Sequence, residues 1–230
     1  ITDHGVVQAF PDAWHEYEAI EAECEKAGRE CDFKVIYGVE AYLVDDLKDM
    51  IVNPKGQHLN DRYVVFDLET TGFSAKSDKI IEIGAVKVEN GKIIDRFSTF
   101  VNPEIPIPFR IEKLTSINDE MVIDAPKIEE ILPQFMEFCK DSVMVAHNSD
   151  FDMSFIEANC KRQDLECDFT VIDTVAMSRY LIIGLGRYKL DNVAKALGIV
   201  LDHHHRAVDD AECTALIFLK LCKMLEGKGI

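Results

Sequence analysis

Tyr63-Val64-Val65-Phe66 is an unbroken apolar run, after which polar and apolar positions alternate through Asp67-Leu68-Glu69 until Gly72 breaks the pattern. A run of this kind closed by a turn former predicts a strand whose end becomes polar on one face. Sheet-like stretches follow near 79–89 and 92–102, and Asn90-Gly91 between them has the composition of a type I′ hairpin turn. The period then changes. Helical patterns fall near 109–117, 127–140, 150–162, 174–182, 190–198 and 207–225, with short apolar strands at 143–147 and 170–173. A meander followed by α/β crossings predicts an α/β fold, a mixed five-stranded sheet with helices on both faces.

The first 57 residues read differently. Asp12 is placed to cap a helix whose apolar face is Trp14, Tyr17, Ile20, Cys24 and Ala27, with Gly28 as its stop. A strand over Phe33–Tyr37 follows and ends at Gly38-Val39-Glu40, while Thr2-Asp3-His4-Gly5 precedes the helix. Together these predict a short βαβ unit. Asn53–Asn60 is rich in turn formers and reads as a junction, so two segments are expected, 1–57 and 58–230. The chain opens on Ile rather than Met, which suggests a fragment or a processed form.

Candidate chemistry begins at Asp67 and Glu69. Alternate residues of a strand face the same way, so these two carboxylates project together while Leu68 turns to the core. Paired acids at a strand end are costly unless a cation neutralises them, and hard divalent ions are the natural partner. A strand that simply ends in solvated acids accounts for the pair equally well. Further on, Val143–Ala146 leads into His147-Asn148 and a helical pattern; Asn148 or Ser149 is a plausible cap, which sets Asp152 in or just after the first turn. Asp209 and Asp210 open the last helix, and His205 lies in the loop before it. Acids at helix starts also suit the helix dipole, so each of these taken singly has a purely structural explanation.

The three stretches agree in residue type, order and spacing with the DEDDh family of 3′→5′ exonucleases, which the chain resembles over about residues 60–226. The motifs are Phe66-Asp67-Leu68-Glu69-Thr70-Thr71-Gly72, His147-Asn148-x-x-Phe151-Asp152 and His205-x-Ala207-x-x-Asp210. The sister subtype carries Tyr where this chain has Arg206. Softer family-like stretches are Ile80–Val86, Asn118–Pro126, Ile172-Asp173-Thr174 and Leu190–Ile199. The resemblance implies a ribonuclease H-like fold and hydrolysis of phosphodiester bonds with two divalent ions, Mg²⁺ or Mn²⁺, roughly 3.5–4 Å apart. It implies that Asp67, Glu69 and Asp210 hold one ion, that Asp67 bridges to the second, and that Asp152 completes the acidic ring. His205 is then the general base, a task suited to an unperturbed pKa of about 6.5. His203 and His204 extend the run and read as exposed loop residues. Thr70, Thr71, His147, Asn148 and Phe151 fall at positions that meet the terminal nucleotide, although His147 and Asn148 can equally cap a helix and Phe151 can equally pack in the core. Phe73 and Met121 are further apolar candidates for the terminal bases. Arg179, Arg187, Tyr188 and Lys189 form the best basic-aromatic cluster for a phosphate backbone, or else a solvated loop.

Residues 1–45 resemble a piece of a PHP (polymerase and histidinol phosphatase) domain at Thr2–Gly5 and Gly38–Ala41, with His4 and Glu40 at metal-ligand positions. The rest of a barrel is missing, including any N-terminal His-x-His ligands, so no complete metal site is expected there. A PHP piece followed by an exonuclease resembles the arrangement in PolC-type alpha subunits of bacterial DNA polymerase III. That implies proofreading of DNA with a single-stranded or frayed 3′ end, beside the remainder of a replicative polymerase. RNA trimming or repair with the same site, and a non-catalytic docking module, are the competing readings.

Composition constrains this picture. The net charge is −17, the wrong sign for a free-standing nucleic-acid binder, so weak and distributive DNA binding is expected. The acidity is concentrated in residues 1–57, with 5 Lys and Arg against 13 Asp and Glu. Seven scattered cysteines without a CxxC pair suggest reduced thiols in the cytoplasm, and no apolar run approaches a membrane span.

Overall fold

The computed structural model describes residues 1–4, 7–40, 49–58, 61–199 and 206–228, with Asp3, His4 and Glu40 described by backbone alone. They gather into two compact units, 1–47 and 48–230.

In the first unit, β1 (Thr2–His4) leads to α1 (Phe10–Lys26) and β2 (Gly38–Glu40), and β1 and β2 pair in parallel with His4 opposite Glu40. The expected strand over Phe33–Tyr37 is not formed. β1 offers only three residues, and the bonds from the Ile1 ammonium to the Ile36 carbonyl and from the Gly38 amide to the Ile1 carbonyl set the register so that pairing begins at Gly38. Asp12 is not the helix cap. It lies in the first turn, Ala9 holds the cap position, and Pro11 supplies a preset φ at the helix start. The expected apolar face packs only in part, since Cys24 is buried while Trp14 is half exposed.

In the second unit, β3 (Ile51–Val52), β4 (Tyr63–Thr70), β5 (Ile80–Glu89) and β6 (Lys92–Phe100) precede α2 (Phe109–Thr115), α3 (Asp119–Val122) and α4 (Ile128–Cys139). β7 (Val143–Ala146), α5 (Ser149–Arg162), β8 (Val171–Asp173), α6 (Thr174–Leu181), α7 (Leu190–Ala196) and α8 (Ala207–Glu226) complete it. The mixed sheet has six strands in the order β3-β8-β7-β4-β5-β6, one more than expected. The extra strand is β3, two residues long and antiparallel to β8. So short a strand leaves no periodicity to read. It is held by the segment after it, where Asn53 donates to Asp168 and to the Phe169 carbonyl, Thr170 donates to the Asn53 carbonyl, and Lys55 pairs with Asp168 at 2.6 Å. Asn90 and Gly91 both take positive φ, 51° and 72°, as a type I′ hairpin requires.

Strand β4 is central, parallel to β7 and antiparallel to β5. Its even-numbered side chains Val64, Phe66 and Leu68 enter a core with Phe135, Phe155 and Ile156 from α4 and α5. Tyr63 and Val65 enter a second core with Val193, Ile217, Phe218 and Leu221 from α7 and α8. Burial on both faces explains why Tyr63–Phe66 reads as a continuous apolar run. Parity then places Asp67 and Glu69 on the α8 face. Among the described residues no helix is long and apolar enough to cross a membrane.

Candidate active site

Three elements converge at the end of β4. Asp67 and Glu69 come from the strand, Asp152 from the first turn of α5, and Asp210 from the first turn of α8. Asp67, Glu69 and Asp210 each present a carboxylate oxygen, and these oxygens lie within 4.8 Å of one another. Asp152 comes from α5, and its Oδ1 accepts from the Leu68 amide at 3.1 Å. Asp209 lies one residue before Asp210 and is not part of the triad.

Such crowding is electrostatically unfavourable in the absence of a cation. Burial, then Asp152, Glu69, Asp210 and Glu82, push the Asp67 carboxyl well above the ordinary carboxylate range. Burial, then Asp210 and Glu82, push Glu69 up to about 7. Asp152 is pushed up to about 8, mainly by burial, with the Leu68 amide acting in the opposite direction. An oxygen-only donor set of three converging carboxylates fits a hard divalent cation, which would relieve both the desolvation and the mutual repulsion.

The remaining expected residues surround this cluster with different degrees of freedom. Thr70 and Thr71 are buried, and their hydroxyls shape the turn after β4: Thr70 Oγ1 donates to the Gly72 carbonyl at 2.6 Å, and Thr71 Oγ1 accepts from the Lys79 amide at 2.9 Å. His147 is committed at both ring nitrogens, Nδ1 to Thr174 Oγ1 at 2.8 Å and Nε2 to the Tyr188 carbonyl at 2.9 Å. Burial pushes its pKa down, against the pull of the Tyr188 carbonyl and Asp173. Asn148 is the cap residue of α5 in the left-handed region, φ 72°, with its amide donating to Asp173. Phe151 packs between Phe155 and Phe73, with ring centroids 5.3 and 6.3 Å away. Phe73 itself is 69% exposed, with the Arg110 guanidinium 5.9 Å from its ring centroid. Arg179 lies 5.9 Å from the Tyr188 ring centroid, and the Tyr188 hydroxyl donates to the Ile182 carbonyl. His203, His204 and His205 lie outside the described residues.

Sequence reading did not single out Glu82 and Arg206. Glu82 is fully buried beside the triad and pairs with Arg206 at 2.7 and 2.8 Å. The available signal was one acid inside the apolar run Ile80-Ile81-Glu82-Ile83, since a buried carboxylate needs a partner.

The fold and the acidic site define a class. The exonuclease (RNase T) family model matches residues 64–218, and this chain belongs to that family. Its sheet and flanking helices have the ribonuclease H-like arrangement of DEDDh exonucleases. More particularly, the chain is 51% identical over all 230 residues to the DNA polymerase III PolC-type of Caldanaerobacter subterraneus subsp. tengcongensis, covering 16% of that protein. It is 52% identical over 217 residues, 94% of this chain, to the DNA polymerase III PolC-type of Clostridium perfringens, covering 14% of it. The chain thus spans about a sixth of the length of these relatives. Among solved structures, exonuclease X in complex with 5′ overhanging duplex DNA aligns with a TM-score of 0.58 at 29% identity, covering 70% of this chain and 91% of that one. The nuclease domain of 3′hExo, a DEDDh family member bound to rAMP, aligns with a TM-score of 0.64 at 21% identity, covering 72% and 93%. This second likeness is one of fold.

Proposed function

We propose that this chain is the proofreading exonuclease of a PolC-type DNA polymerase III, removing nucleoside 5′-monophosphates from DNA 3′ ends. The observation that carries the reading is the triad of carboxylate oxygens from Asp67, Glu69 and Asp210, with Asp152 beside it. The polymerase setting is supported by the PolC-type relatives, similar to this chain along its whole length.

In this reading Asp67, Glu69 and Asp210 would hold a divalent ion, and Asp67 with Asp152 would serve a second. Bound Mg²⁺ or Mn²⁺ would supply charge neutralisation at the phosphate. His205 takes the proton of the attacking water on a ring nitrogen. The water oxygen bonds to phosphorus, the bond to the 3′ oxygen breaks, and that oxygen leaves as a hydroxyl once protonated. Asn148 and the Thr70–Gly72 turn flank the terminal nucleotide, and the exposed Phe73 ring, backed by Phe151, offers its bases an apolar surface. His147 acts from behind, tying β7 to α6 and to the loop that carries Tyr188. Residues 1–47 fit a PHP-type segment by their parallel β1–α1–β2 unit.

The test is Mn²⁺-dependent digestion of a 5′-labelled primer, paired or mispaired at its 3′ end, beside the matching RNA. Stepwise 3′ shortening is expected, faster on the mispaired DNA than on RNA. Asp67→Ala should abolish it, and His205→Ala should slow it by about 10²–10⁴-fold. Faster loss of RNA would move the enzyme to RNA trimming, and no cleavage of either would contradict a nuclease.

A further inference from the structure

Glu82, fully buried, takes no part in the mechanism. Glu82 stands opposite Glu69 in the β4–β5 ladder, on the same face of the sheet. Its Oε1 accepts from Nε and from a terminal nitrogen of Arg206 at 2.8 and 2.7 Å, and its Oε2 accepts from the Ala207 amide at 3.1 Å. Arg206 is the cap residue of α8, and its own side chain makes no capping hydrogen bond. Its carbonyl accepts from the amides of Asp209 and Asp210 at 2.9 and 3.1 Å. One carboxylate from a neighbouring strand therefore caps α8 from outside and holds the side chain of the residue on which its first turn is built. The guanidinium also lies over the Phe100 ring, 4.8 Å from its centroid, which ties the same residue to β6. Two residues along β5, Gly84 lets the helix close in. A Cβ there would stand 2.0 Å from the Val208 nitrogen.

We propose that Glu82 and Arg206 form a positioning clamp that sets the first turn of α8, and with it the Asp210 carboxylate, against Asp67 and Glu69 so that the three can hold a cation. This rests on the metal-site reading above. The chemistry suits the task. A carboxylate beside three others would add to their repulsion, and the two-pronged guanidinium contact offsets its charge while fixing its direction. In sequence His205 is the residue before Arg206, so the clamp also anchors the chain next to the proposed base. An ion pair that served stability alone would leave metal affinity untouched in any variant that still folds.

The experiment measures Mn²⁺ binding by electron paramagnetic resonance without DNA, in the full chain and in Glu82→Gln and Arg206→Lys, with far-UV circular dichroism confirming the fold. Glu82→Gln keeps the side-chain volume and loses the charge. Arg206→Lys keeps the charge and loses the two-pronged contact, and it also covers the case in which Glu82→Gln does not fold. The clamp predicts a Mn²⁺ dissociation constant raised by about 10- to 100-fold in Glu82→Gln, and by a smaller factor in Arg206→Lys. Cleavage should fall at low Mn²⁺ and recover as Mn²⁺ is raised, with the KM for DNA unchanged. Folded variants that bind Mn²⁺ like the parent would overturn the clamp alone, and two variants that both fail to fold would assign the pair to stability and overturn it likewise. A parent chain that binds no Mn²⁺ would take down the metal-site reading together with the clamp.

Discussion

Asp152 is 3% exposed and lies beside other carboxylates, with the Leu68 amide and its own amide favouring its charged form. Its pKa of about 8, and that of Glu69 near 7, are raised above the unfolded values. Groups raised in this way contribute their stability fully below the unfolded carboxylate pKa near 4, and the contribution is lost as pH rises toward the folded values. The metal-free protein should therefore lose thermal stability between about pH 5 and about pH 8 through these groups. Asp152→Asn retains an acceptor for the Leu68 amide and removes the charge, so it should be the more stable protein at the upper end of that range and not at the lower. Melting curves of both proteins in chelator check this, and a difference independent of pH would contradict it. The convergence of Asp67, Glu69 and Asp210, with Asp152 nearby, was legible because the motifs set these carboxylates at fixed spacing on a strand end and two helix starts. Glu82 and Arg206 were not, because their partnership spans 124 residues and joins a strand interior to a helix cap.

At the scale of elements, the docking of α8 on β5 governs the site. Gly84 is required there by close approach rather than by backbone conformation: an added Cβ would meet the Val208 nitrogen at 2.0 Å and the Ala207 carbonyl carbon at 2.1 Å, and both are backbone atoms that cannot swing aside. Gly84→Ala should cost about 1–3 kcal/mol or more in urea unfolding, with α8 displaced and activity lost. A loss within about 0.5 kcal/mol, as for an unconstrained surface position, would show that the helix start yields easily. Most elements of the second unit could be read from period and turn chemistry, including the Asn90-Gly91 hairpin and the strand-to-helix passage at Asn148. Elements below about one turn or three residues could not. β3 is held by side chains such as Asn53 and Lys55 reaching Asp168, and α3 is a single turn capped by Asn118, so neither carries a pattern of its own. In the first unit the chain pattern suggested a strand over Phe33–Tyr37, but the available pairing partner is only three residues long and starts the ladder at Gly38.

For the whole molecule, a net charge of −17 and a site made of acids both oppose DNA, and a bound cation addresses both. Each feature of the second unit points to the same place: a central strand with acids on its α8 face, two helices whose first turns deliver Asp152 and Asp210, and the ion pair of buried Glu82 with half-exposed Arg206 at the start of α8. The PolC-type relatives are about six to seven times as long as this chain. The most direct measurement is anomalous scattering at the manganese edge from crystals of the chain grown with Mn²⁺ and a deoxynucleoside 5′-monophosphate. The account predicts a peak among the carboxylates of Asp67, Glu69 and Asp210, lost in Asp67→Ala. Ordered carboxylates with no peak between them at saturating Mn²⁺ would contradict it.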